Sequence, residues 1–177
     1  LKEFISREGV DIICASISWN RDFPKIIELL KALPGGMPLI IGGYKATEDV
    51  EEIFKICPRV DIIVRGEGEE TIREILKDSP LESILGISYR KNGEVCHNNN
   101  RLLPDINTIV PPDRTLRRSI YSMMSLGVRV TTATFDTILS SRGCPFSCKF
   151  CTFNLNPLGQ KREYASRTPE SVIKEIE

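Results

Sequence analysis

Histidine is nearly missing from this chain: His97 is the only one in 177 residues. It stands in a turn-rich segment, so no Ser/His/acid or Cys/His set has a credible proton carrier. Basic charge is not in excess either. Lys plus Arg number 24 and Asp plus Glu also 24, so net charge recruits neither nucleic acid nor an anionic membrane surface. No apolar run approaches the roughly 20 residues that a membrane helix needs. No signal peptide is expected from the opening segment, the mixed "LKEFISREG". Cys14, Cys57 and Cys96 stand singly, as reduced thiols do, not in a disulfide framework. The expected compartment is the cytoplasm.

What is present is ordinary globular material, 41% apolar and 27% charged, with enough length for one domain or two small ones. The start at Leu1 without Met, and the end at Glu177 inside a helical pattern, predict a fragment cut at both ends. Leu1, Phe4 and Ile5 have helical spacing over 1–8. "VDIICASIS" (10–18), "PLIIGG" (38–43) and "VDIIVRG" (60–66) read as strands buried on both faces. Helices are predicted between and after them, over 22–34, 48–57 (Thr47 as N-cap) and 69–78. The alternation defines an α/β fold: a partial Rossmann-like, flavodoxin-like parallel sheet over 1–80, its remaining strands expected upstream of Leu1. Residues 81–133 hold a hairpin about Asn92-Gly93 and a Pro-punctuated linker. Over 134–177, "FDTILSS" reads as a strand leading into a cysteine loop, and Thr168-Pro169 opens a final helix.

That loop is "SRGCPFSCKFCTF", with Cys144, Cys148 and Cys151 in a C-x3-C-x2-C spacing. Chance placement is on the order of one in a thousand at this composition. Three thiolates on one loop can converge on one centre, and soft sulfur selects zinc or iron–sulfur. Structural zinc and ferredoxin-type clusters want a fourth ligand, and no further cysteine follows. Three cysteines leave one iron of a 4Fe–4S cluster open, as a catalytic metal requires. Zinc completed from elsewhere, or unligated thiols, are the other readings.

These residues resemble the signature loop of the radical S-adenosylmethionine enzymes, down to the aromatic Phe150 before the last cysteine. The resemblance implies that Cys144, Cys148 and Cys151 hold a 4Fe–4S cluster and that S-adenosylmethionine chelates the open iron, with Phe150 near its adenine. It implies reductive cleavage of S-adenosylmethionine to a radical that takes hydrogen from a small-molecule substrate, with an electron donor such as flavodoxin or ferredoxin. It also implies a TIM-barrel-like core, of which residues 134–177 would be the opening strand, cluster loop and first helix.

Ligands of open α/β sheets bind at the carboxyl ends of the strands. Ser16, Gly42-Gly43 and "RGEGEE" with Gly66 and Gly68 occupy those ends. The acidic run beside Gly66 disfavours a phosphate cradle. These positions resemble the cobalamin (vitamin B12)-binding domain found before many radical S-adenosylmethionine barrels, where the serine and glycines line the channel for the nucleotide tail. The D-x-H-x-x-G motif of that family is not in this sequence; it would precede Leu1. The resemblance implies a cobalamin-dependent methyltransferase acting on an unactivated carbon. A radical cyclase or oxidoreductase with an accessory cobalamin-type domain is the alternative, and a zinc- or cluster-stabilised binding module the non-enzymatic rival. No catalytic residue is assignable within the fragment, which is expected to be inactive alone. Trp19 reads equally as a packing residue or a corrin contact. Cys14 and Cys57 read as core, and Arg114, Arg117 and Arg118 as a solvated linker face or, alternatively, as partners for the barrel.

Overall fold

The computed structural model describes residues 2–18, 21–116, 122–125, 128–134, 136–151 and 155–177, with backbone alone at position 2 and at 122–125 and 128–134. The expectations for Trp19, Arg117, Arg118 and Phe135 lie outside the described residues. The chain divides into two units. One comprises Leu1–Leu103 with Cys148–Lys161, the other Pro104–Ser147 with Arg162–Glu177.

The first unit is built on a five-stranded sheet. Strands β1 (Ile13–Ser16), β2 (Leu39–Gly42) and β3 (Ile62–Val64) run parallel, and β4 (Ile87–Lys91) and β5 (Glu94–His97) add antiparallel to β3. The strand order follows the chain order. The hairpin therefore extends the sheet, making it mixed. Its turn places Asn92 and Gly93 at φ 54° and 87°, the left-handed pair that two-residue hairpin loops demand.

Both faces of the sheet are apolar, which explains the unbroken Ile/Val runs. Leu39, Ile41 and Ile63 join one core cluster, with Ile27 and Leu30 of α2 (Phe23–Lys31) and Ile53 and Phe54 of α4 (Val50–Ile56). The alternate residues Ile40, Ile62 and Val64 join a second cluster with Ile84, Ile87 and Tyr89, packed by Ile72 and Ile75 of α5 (Glu69–Ile75). A short α1 (Lys2–Glu8) buries Ile5 in the first cluster. Full burial of side chains this size stabilises by about 1.5–3 kcal/mol each.

One predicted boundary moves. Helix α3 (Tyr44–Glu48) begins directly after Gly43, so Thr47 sits inside it and Asp49 separates it from α4. The cause is local: Ile17 O accepts from the N–H groups of Lys45 and Ala46 (3.0 and 3.3 Å), starting the helix early.

In the second unit, β6 (Ser122–Ser125) and β7 (Val128–Thr134) form an antiparallel pair. A two-residue strand β8 (Ser141–Arg142) pairs with β9 (Ala165–Ser166), and α6 (Pro169–Ile176) follows. Thr168 caps α6, its hydroxyl accepting from Ser171 N at 3.2 Å. The strand expected over 135–141 is corrected: residues 136–140 are not strand, and only Ser141–Arg142 is. Arginines meet the carbonyls there in place of a neighbouring strand. Arg114 Nη2 donates to Thr137 O (2.9 Å) and Arg167 Nη1 to Leu139 O (3.1 Å).

Candidate functional site

At the carboxyl ends of β1–β3 lies a cavity of about 320 Å3. Ser16, Gly42, Gly43, Gly66 and Gly68 all line it, together with Cys14, Ala15, Ile40, Ile41, Val64 and Ile72. No charged side chain is among these described lining residues. The wall is apolar side chain and bare glycine backbone, the surface a large uncharged ring system would approach closely.

Gly43 shows why side chains are excluded. Its φ is 99°, and a Cβ there would lie 2.7 Å from Ile17 O and 2.9 Å from Ser16 Oγ. Any other residue is strained in backbone and in space. Ser16 Oγ is itself in hydrogen-bond range of Ser18 Oγ (3.3 Å).

Thr47 stands behind the cavity. It is buried, donates to Gly43 O (3.0 Å) and accepts from Gly66 N (3.0 Å). The sequence offered it only as a cap; its spacing four residues after Gly43 was the usable signal, since a helical Thr can reach the carbonyl at i−4. Cys14 also departs from expectation. It is exposed on β1 and lines the cavity, whereas Cys57 is fully buried. Partial desolvation pushes the Cys14 thiol above its ordinary value, leaving it neutral near pH 7.

Residues 155–161 belong to the same unit. Asn156 organises them, its Oδ1 accepting from Leu158 N and Gln160 N (both 3.0 Å). Gln160 Nε2 donates to Arg101 O (2.7 Å). Leu158 Cδ1 comes within 3.3 Å of where a Gly66 Cβ would be. His97 is committed elsewhere, with Nδ1 at 2.9 Å from Ser88 Oγ and Nε2 at 3.0 Å from Glu51 Oε1.

The cysteine loop falls across the two units, with Cys144 in the second and Cys148 and Cys151 in the first. All three are free thiols, Cys148 exposed and the others half-buried. Cys151 N donates to Cys148 O (3.1 Å), a tight turn. Phe150 is 92% exposed. Among the described residues no group of three or more His, Cys, Asp or Glu surrounds a common point. The donor chemistry of the three thiols fits a thiolate-held cluster. Within the loop, just before Cys144, Gly143 (φ 80°) leaves no room for a Cβ against Glu163 O and Arg162 O, a requirement that the cysteine spacing does not reveal.

Arg114 is paired rather than solvated, the second of the two readings given for it. Its Nε lies 3.0 Å from Asp136 and its Nη2 2.6 Å from Glu175, which is also paired with Arg167. The Glu175 side chain is only 4% exposed. The Arg167 and Arg114 guanidiniums hold its carboxyl below the usual carboxylate range. Every group in this cluster is satisfied, so it reads as a clamp.

An α/β sheet with a glycine-walled cavity at its parallel-strand ends is the class that this fold and site define, and residues 1–76 match the B12 binding domain family. The chain is 30% identical over 170 residues to an uncharacterized methyltransferase, PH0819, of Pyrococcus horikoshii, covering 93% of this chain and 35% of that one. It is 30% identical over 146 residues to the anaerobic magnesium-protoporphyrin IX monomethyl ester cyclase of Cereibacter sphaeroides (78% and 22%). Its fold matches the radical S-adenosylmethionine methyltransferase TsrM of Kitasatospora setae, solved with cobalamin and a 4Fe–4S cluster bound. The TM-score is 0.64 at 16% identity, covering 98% of this chain and 36% of that one. The chain thus spans about a third or less of the length of these proteins. Residues 1–76 thus match a B12-binding-type domain, and over most of its length the chain is similar to parts of these larger proteins. No helix among the described residues is long and apolar enough to cross a membrane.

Proposed function

We propose that the chain is part of a cobalamin-dependent radical S-adenosylmethionine methyltransferase acting on an unactivated carbon of a small molecule. The observation that carries the reading is the uncharged, glycine-walled cavity lined by Ser16, Gly42, Gly43, Gly66 and Gly68. Those residues would hold the nucleotide tail of cobalamin, because backbone without side chains permits close approach. Cys144, Cys148 and Cys151 would hold a 4Fe–4S cluster, and Phe150 would lie by the adenine of S-adenosylmethionine. When bound, these cofactors supply the radical and methyl-carrying chemistry; the chain's own residues bind and orient them.

On this reading 1–80 is the cobalamin-binding-type region, 81–133 hairpin and linker, and 134–177 the opening of the barrel. An electron donor such as flavodoxin or ferredoxin and a cytoplasmic location complete the proposal. A cyclase reading is supported by the likeness to a relative described as a monomethyl ester cyclase. Anaerobic iron–sulfur reconstitution of the longer protein tests the cluster. Wild type is expected to take up iron and cleave S-adenosylmethionine on reduction, and Cys148→Ala to do neither. Zinc in place of iron, or cleavage retained by the alanine variant, sinks the assignment. Methylated against cyclised product separates the two enzymatic readings.

A further inference from the structure

The loop after β2 and the loop after β3 both line the cavity, and one side chain hydrogen-bonds to both. Thr47 Oγ1 gives its only proton to Gly43 O and receives the N–H of Gly66, each at 3.0 Å. The two ends are not equally replaceable. Gly43 O has a second donor, the backbone N–H of Thr47 at 3.0 Å, whereas Gly66 N–H has the hydroxyl as its partner. Thr47 is 6% exposed, so water does not readily take over. On its other side Gly66 is braced by Leu158, within 3.3 Å of its missing Cβ position.

From this arrangement we infer that Thr47 is a positioning residue of the cavity: it sets the spacing between the Gly43 and Gly66 backbones and so the width available to the ligand. The inference rests on the cobalamin reading for its ligand, but not for its geometry. A hydroxyl is required, since only an atom that donates and accepts at once can join a carbonyl to an N–H. Valine has the shape of threonine and can do neither.

The test compares Thr47→Val and Thr47→Ser in the full chain. One readout is amide hydrogen exchange at Gly66 without ligand; the other is hydroxocobalamin binding followed by absorbance. Leaving the Gly66 N–H unpaired is expected to speed its exchange about tenfold or more and to weaken binding about tenfold in the valine variant. The serine variant keeps both readouts within about threefold of wild type. Unchanged Gly66 exchange in the valine variant, or a serine variant as impaired as valine, overturns the inference. If wild type takes no cobalamin, the functional reading falls, and Gly66 exchange still decides the role of Thr47. Should the valine variant fail to fold by circular dichroism, Thr47→Ala is carried through the same two readouts.

Discussion

The two units are stabilised by different physics. Among the described residues, every buried apolar side chain except Ile106 lies in the first unit, in two clusters on opposite faces of one sheet. In the second unit a carboxylate, Glu175, is held with its side chain only 4% exposed, gripped by Arg114 and Arg167. Apolar packing is tolerant of shape and additive in area. A buried ion pair is intolerant: removing one partner leaves the other charge uncompensated.

The largest expected effect comes from the middle of the sheet. Ile63 is fully buried on β3, between β2 and β4. Ile63→Ala is expected to destabilise by about 3 kcal/mol in urea denaturation. A loss below about 1 kcal/mol would mean that the first unit does not depend on its apolar core. A smaller effect is expected in the second unit, where Glu175→Gln should lower the thermal midpoint by about 3–5 °C at pH 7. No shift would reduce the clamp to a surface pair.

Acid sharpens the contrast further. Arg167 and Arg114 depress the folded-state pKa of Glu175. A carboxyl lowered on folding contributes stability that is fully present above its unfolded pKa, about 4.3, and is lost as pH falls through the lower folded value. The gap in melting temperature between wild type and Glu175→Gln should therefore be full at pH 7 and close progressively below about pH 4. A gap that stays constant to pH 3 contradicts the pairing.

The same contrast explains what could be read in advance. Two-faced Ile/Val runs, spaced by helices, leave few alternatives, so β1–β3 and the Asn92-Gly93 hairpin were legible. That β4–β5 would join the sheet was not, because a hairpin's sequence does not encode which edge it meets. That Ser16 and the four glycines share one cavity was legible because strand ends and glycine pairs mark where backbone is exposed. Thr47 was misplaced because a cap and an i−4 back-bonding threonine look alike one turn after a glycine. The Arg114–Glu175 clamp spans 61 residues, and no local pattern announces a pairing at that separation. The strand expected over 135–141 failed for a related reason. β-branched residues give a propensity, but a strand exists only where a partner's backbone is in register.

The central claim is that the glycine-walled cavity is a cobalamin site, and Gly43 tests it most directly. Hydroxocobalamin titrated into the wild-type chain and Gly43→Ala should bind the first and bind the second at least about tenfold more weakly, with the alanine variant still folded by circular dichroism. A Cβ at position 43 strains a backbone at φ 99° and crowds Ile17 O and Ser16 Oγ. Wild-type protein that takes no cobalamin, or equal affinity in the two proteins, would contradict the account.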